Sequence, residues 1–312
     1  MSISVVVLTS ASHKALDAWL ERLCRQTRLP DQLVVVSREA KQEPDKLIAQ
    51  LNKKVGSRFV LSVPAPPGGS LSQALIAGNA CVISTIVCFT SDLCTPADDW
   101  LSRIEYRFTD PLAGAVGGPV IMAPGGRARY AYTDRWGRVS WLGRRTPNTD
   151  KIPRARTQAE MLNVNNMAFR HYLLPGFDLL LRGDGPCEAD RCLALVKMGF
   201  RVVVDPGVRV YYRHPEAERC HGVPLEVTES DHHDNTYVFL KHSTLPQKVA
   251  FIPYTFLLGD EAFPGVLRLL FQGTGQPSRS SAHHLMPAMK GKAAGLRTYL
   301  SYLHSRTSPY RY

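Results

Sequence analysis

Four apolar runs constrain what this chain can fold into. They are SVVVLT (Ser4–Thr9), QLVVVS (Gln32–Ser37), RFVLSV (Arg58–Val63) and TIVCFT (Thr85–Thr90). None alternates apolar with polar residues, so each reads as a strand buried on both faces. Helical patterns lie between them. KALDAWLERLCRQT sets Leu16, Trp19, Leu20 and Leu23 on one face, and DKLIAQLNKKV and SLSQALIAGNACVIS read as two further helices. Buried strands alternating with helices of about three turns predict a doubly wound, mostly parallel α/β sheet covered on both sides. In such a sheet the ligand sits at the carboxyl ends of the strands. Thr9, Ser37 and Thr90–Asp92 are at such ends.

After Leu112 the pattern changes. AGAVGGPVIM is a Gly-rich strand, and Gly125–Arg145, dense in arginine and aromatics, reads as loop and hairpin. MLNVNNMAFR predicts a short strand and turn. CEADRCLALVKMGF predicts a helix with Glu188 and Asp190 in its first turn, where carboxylates suit the helix dipole. Phe200–Asp205 and Val208–Tyr212 read as strands, and HDNTYVFLKH as a helix. GGSLSQ lacks a phosphate-loop lysine and reads as a plain helix start. The opening residues carry no basic segment followed by an apolar one, so no secretory leader is expected. No apolar run reaches the ~18 residues of a membrane span. The 7 cysteines form no CxxC pair and several sit in apolar runs, as expected of reduced core thiols in a cytoplasmic chain.

Several segments together resemble the inverting, family 2 type glycosyltransferases of GT-A fold, particularly rhamnosyltransferase-like members. Over residues 3–245 the resemblance is carried by SVVVLTSASHKALDAWLERLCRQTRLPDQLVVVS, NNMAFRHYLLPGFD, CEADRCLALVKMGFRVVVDPGVRVYY and DNTYVFLKH, with an echo in AMKGKAAGLRTYL. It implies a Rossmann-like GT-A domain over 1–245, a nucleotide-sugar donor, and a divalent Mg²⁺ or Mn²⁺ ion. The chain also departs from the family. Ser91, Asp92 and Leu93 fall where the family carries Asp-x-Asp, unless a one-residue slip aligns Thr90 and Asp92 with that motif.

Inverting glycosyl transfer needs a base for the acceptor hydroxyl and positive charge for the departing diphosphate. By the resemblance Glu188 is the base and Asp190 the second catalytic candidate; the plain alternative is that both only favour the helix N-terminus. Thr9, Ser37, Ser91 and Asp92 are expected at the nucleotide-sugar, and Asn166 and Asp184 at the acceptor. Asp92 and His214 are the candidate metal ligands, against a turn carboxylate and a surface histidine before Pro215. The adjacent histidines of DHHDN point to different sides of a helix and do not suit a shared metal.

The net charge of +11 is uneven. From Pro246 onward Lys248, Arg268, Arg279, Lys290, Lys292, Arg297, Arg306 and Arg311 face only Asp260 and Glu261. With FPGVLRLLFQG and AAGLRTYLSYLHSR this region, 246–312, reads as a basic amphipathic tail suited to peripheral contact with an anionic membrane. That fits a glycan, lipid-linked or small-molecule acceptor at the inner membrane face. The arginine-rich stretch carries no RNA-binding signature, and no nucleic-acid partner is expected. The alternative is a non-catalytic GT-A partner or scaffold subunit of a glycan-synthesis complex.

Overall fold

The computed structural model describes residues 1–9, 13–37, 59–66, 69–122, 131–146, 151–212, 227–271 and 279–305. The apolar runs form β1 (Ile3–Thr9), β2 (Gln32–Ser37), β3 (Phe59–Pro64) and β4 (Ile86–Ser91). Helix α1 (His13–Leu23) follows β1, and α2 (Leu71–Asn79) precedes β4. The expected helix over DKLIAQLNKKV lies outside the described residues. Next come β5 (Cys94–Pro96), α3 (Trp100–Arg107), β6 (Ala113–Gly117), β7 (Val120–Met122), β8 (Ala131–Thr133), β9 (Lys151–Pro153), β10 (Thr157–Ala159) and β11 (Met167–Arg170). Helix α4 (Cys187–Lys197), β12 (Arg201–Val204) and β13 (Val210–Tyr212) lead to α5 (Glu229–His242), α6 (Leu245–Leu257), α7 (Val266–Phe271) and α8 (Arg279–Ser305).

One eight-stranded sheet runs β10-β12-β6-β11-β4-β1-β2-β3. It is α/β and mostly parallel, as expected. Strand β11 runs antiparallel between β4 and β6, and β10 antiparallel to β12 at the edge. A smaller sheet, β5-β13-β7, stands beside it. The unalternating strands are explained by burial on both faces. Val6, Leu8, Val34, Val36 and Phe89 point into one apolar layer with Trp136, Phe169 and Phe177. Ile3, Val5, Val7 and Val35 point into the other, with Trp19, Leu20 and Trp100.

At the end of the arginine-rich stretch, residues 139–145 are a tight hairpin closed by an antiparallel bridge between Val139 and Arg145. Gly143 makes its turn at φ +80°, and a Cβ there would meet the Phe239 ring at 2.9 Å. Only glycine satisfies both demands. Strands β8 and β9 pair in parallel rather than as a hairpin.

The region after Pro246 is more regular than its prolines and glycines suggest. Pro246 sits in the first turn of α6, where its missing N–H costs nothing, behind a Thr244–Gln247 capping box. Helix α8 is 27 residues long and lies against α5. The expected boundary after residue 245 falls in the first turn of α6, and packing crosses it, because Phe251 and Tyr299 join the same apolar layer as Tyr237 and Phe239.

Candidate active site

Topology brings the candidate residues to one rim. Strands β1, β2, β4, β6 and β12 share a direction, so Thr9, Ser37, Ser91 and Val204 end at the same edge. Helix α2 runs back toward the start of β4 and α4 toward the start of β12, so the N-termini of both helices stand at this carboxyl rim. Ser70 caps α2, accepting from the Gln73 N–H in a capping box, the plain helix start that GGSLSQ suggested.

At the centre of the rim Thr9 donates its hydroxyl to Asp92 Oδ2 at 2.6 Å, and the Asp92 N–H reaches Leu8 O at 3.1 Å. Asp92 is thereby fixed just past β4, with 6% of its surface exposed. Ser91 is half-buried beside it, its hydroxyl 3.6 Å from the Cys94 thiol. Ser37 is buried at the end of β2.

The second cluster surrounds α4. Glu188, half-buried in the first turn, lies beside Cys187, whose thiol is 3.6 Å from Glu188 Oε2. Burial pushes the Glu188 carboxyl above the ordinary carboxylate range. Its own backbone N–H, the Arg145 cation and the Cys187 thiol only partly offset this. Arg145 comes from the hairpin and is held by Asn235 Oδ1 and by the Phe263 ring, 5.4 Å from its guanidinium. Burial lowers its pKa, opposed by the field of Glu188, Asp260, Asp231 and Asp234.

Asp190, two residues on, is wholly buried and points elsewhere. Its Oδ1 accepts from Lys241 Nζ and His242 Nε2, both at 2.7 Å. Burial alone would raise its pKa, but the Lys241 ammonium and the His242 hydrogen bond outweigh burial and hold it below the usual range. Lys241 also reaches Asp178 Oδ2 at 2.6 Å, which accepts from the Tyr237 hydroxyl at 2.8 Å. Segments quoted separately for the resemblance thus meet in one buried ion network. The sequence alone singles out none of Asp178, Lys241 and His242; they are legible only as members of those segments.

Asp184 is exposed on the loop before α4 and accepts the Leu71 N–H at 3.1 Å, tying that loop to the start of α2. The same loop is clamped to α5, because Asp234 accepts the Arg182 and Gly183 N–H groups at 2.9 and 2.8 Å. Asn166, expected at an acceptor, is corrected. It is 0% exposed, its Oδ1 accepts from Trp100 Nε1, and its Nδ2 donates to the carbonyls of Val208 and Pro119. Its amide is consumed inside the protein, closing β7 and β13 against α3.

His214 lies outside the described residues. Among those described, no group of three or more His, Cys, Asp or Glu side chains is arranged to hold a metal. His232 and His233 diverge, the first against the edge of Phe263 and the second toward Thr298 Oγ1 at 2.8 Å. Mg²⁺ and Mn²⁺ commonly take only one or two carboxylates and complete their shell with substrate phosphates and water. The donor set at the rim fits that mode with Asp92 alone.

No family model and no curated protein matches this sequence. Solved structures do. GalNAc-T7 with UDP, GalNAc and Mn²⁺ aligns with TM-score 0.64 at 12% identity, over 98% of this chain and 58% of that one. The chain thus spans less than two thirds of GalNAc-T7. The mannosyltransferase PcManGT from Pyrobaculum calidifontis, with GDP-Man and Mn²⁺, gives TM-score 0.52 at 15% identity over 97% of this chain and 78% of that one. S. aureus TarS 1–349 with UDP-GlcNAc gives 0.56 at 12% identity, over 97% and 92%. The fold is therefore GT-A-like, as the resemblance implied.

Proposed function

We propose that a chain with this GT-A-like fold is a nucleotide-sugar-dependent glycosyltransferase of the inverting, family 2 type. The observation that carries the reading is Glu188. It is a half-buried carboxyl at the carboxyl rim, its pKa raised by burial, beside an arginine and on the rim that ends in Asp92. A carboxylate whose pKa is raised is a stronger base than an ordinary one, and burial shifts Glu188 in that direction.

In the reaction Glu188 takes the proton from an acceptor hydroxyl. The oxygen attacks the anomeric carbon from the face opposite the diphosphate, and the bond to the leaving oxygen breaks with its electron pair. Asp92, braced by Thr9, stands at the diphosphate end, with Ser37 and Ser91 as nucleotide contacts. Asp92 would hold a divalent cation, which would supply positive charge to the leaving diphosphate. Asp184 borders the acceptor side. Asp190 is a positioning residue that pins the start of α4 and so aims Glu188. Exposed Leu245, Val249, Leu300 and Leu303, on helices that also carry Lys248 and Arg297, support peripheral contact with anionic lipid. Among the described residues no helix is long and apolar enough to cross a membrane.

One observation favours a second reading. Leu93, not an acid, follows Asp92, as expected of a non-catalytic GT-A partner subunit. Thermal shift with nucleoside diphosphates and nucleotide sugars, with and without Mn²⁺, separates the two. A rise in melting temperature with a nucleotide sugar supports the enzyme; no rise with any of them favours the scaffold.

A further inference from the structure

Away from the rim, a groove of about 470 Å³ opens between the end of α3 and the sheet edge formed by β10 and β12. Its walls carry Arg107, Arg138, Arg156 and Arg201 against one lining acid, Asp110. Arg107 is anchored by Asp205 at 2.6 Å and Arg201 by Asp110 at 3.3 Å. Arg138 and Arg156 are exposed and have no ion-pair partner among the described residues. An aromatic ring shares the groove: Tyr106 is 65% exposed, with the Arg107 guanidinium 5.1 Å from its centroid. Gln158, Thr109 and Thr157 add neutral hydrogen-bonding groups.

Two guanidinium groups in one groove, without an ion-pair partner among the described residues, ask for an anion, since each offers a planar fork that fits a carboxylate or phosphate. An exposed ring asks for something flat and partly apolar to lie on it, which a sugar face provides. Amide and hydroxyl groups suit sugar hydroxyls. The groove lies on the sheet face covered by α3, whereas α4 and Glu188 belong to the opposite layer. It is therefore a site separate from the candidate active site.

We infer that this groove binds an acidic glycan chain, with Arg138 and Arg156 on its charged groups and Tyr106 under a sugar ring. The inference does not need the transferase reading, because it is tested by binding alone. Fluorescently labelled oligogalacturonate is titrated against the full chain, with oligophosphate, single-stranded DNA of similar charge and neutral dextran as comparison probes. The expected result is saturable binding of oligogalacturonate and none of dextran. Each of Arg138→Glu and Arg156→Glu lowers the affinity about tenfold or more. Tyr106→Ala weakens oligogalacturonate and leaves oligophosphate unchanged. The control Lys290→Glu/Arg297→Glu, on α8, binds as the wild type does. Equal binding of DNA or oligophosphate, with Tyr106→Ala neutral, would mean the groove reads charge alone and overturns the saccharide assignment. Unchanged affinity in the Arg138→Glu/Arg156→Glu variant overturns the site itself.

Discussion

Glu188 and Asp190 share a helical turn and one chemistry, yet their surroundings drive them apart. Burial raises Glu188; Lys241 and His242 keep Asp190 ionised. In its proposed role as general base, Glu188 would work only when deprotonated. Transfer should therefore fall on the acid side with a midpoint above the ordinary carboxylate value. Arg145 lowers that midpoint, so Arg145→Met should move the acid limb to higher pH, read from the pH profile of kcat/KM. Glu188→Gln keeps shape and removes the basic oxygen, and should cost ~10²–10⁴-fold in rate with nucleotide affinity retained. Asp190→Ala fails differently. It leaves a buried cation short of a partner and should cost about 3–5 kcal/mol in urea denaturation. Because its folded pKa is depressed, Asp190 contributes its stability above the unfolded value of ~3.9 and loses it as pH falls through the folded one. The Asp190→Ala variant should accordingly be less sensitive to acid than the wild type below about pH 4.

Among the elements, the parallel strands were legible because both their faces are covered, which removes any alternation. Strands β10 and β11 were harder, since three or four residues carry little periodicity and their antiparallel direction depends on what lies between them. Candidate residues divide the same way. Thr9 and Asp92 announce themselves as strand ends. Asn166 does not reveal whether its amide faces a cleft or the carbonyls of Pro119 and Val208, and nothing within CEADRC distinguishes a base from an ion-pair anchor. That distinction comes from Lys241 and His242 on α5. The α5–α8 contact was equally hidden. Gly291 and Gly295 let the helices close in, as a Cβ on either would lie 2.3 Å from Glu229 O or 2.4 Å from His233 O. Gly295→Leu should lower stability by about 1–3 kcal/mol or more through overpacking, measured by thermal or urea unfolding.

On the scale of the whole molecule, the basic C-terminal region is part of the core as well as a surface. Removing residues from Pro246 strips Phe251 and Tyr299 from the layer that buries Tyr237 and Phe239. The truncated chain should lose cooperative unfolding and aggregate, seen by calorimetry and size exclusion. Lipid contact is therefore better tested in the full chain, by sedimentation with anionic vesicles after Leu300→Asp/Leu303→Asp. The packing of α8 has one more effect. Thr298 on α8 meets His233, His233 Nδ1 meets Asp234 at 2.7 Å, and Asp234 holds the amides of Arg182 and Gly183 in the loop that leads into Glu188. Helix α8 is thus one end of a hydrogen-bonded relay whose other end is the loop ahead of Glu188. Thr298→Val should leave the global melting temperature nearly unchanged while speeding deuterium exchange at the amides of residues 182 and 183, a local loosening transmitted from one end of the chain to its chemistry.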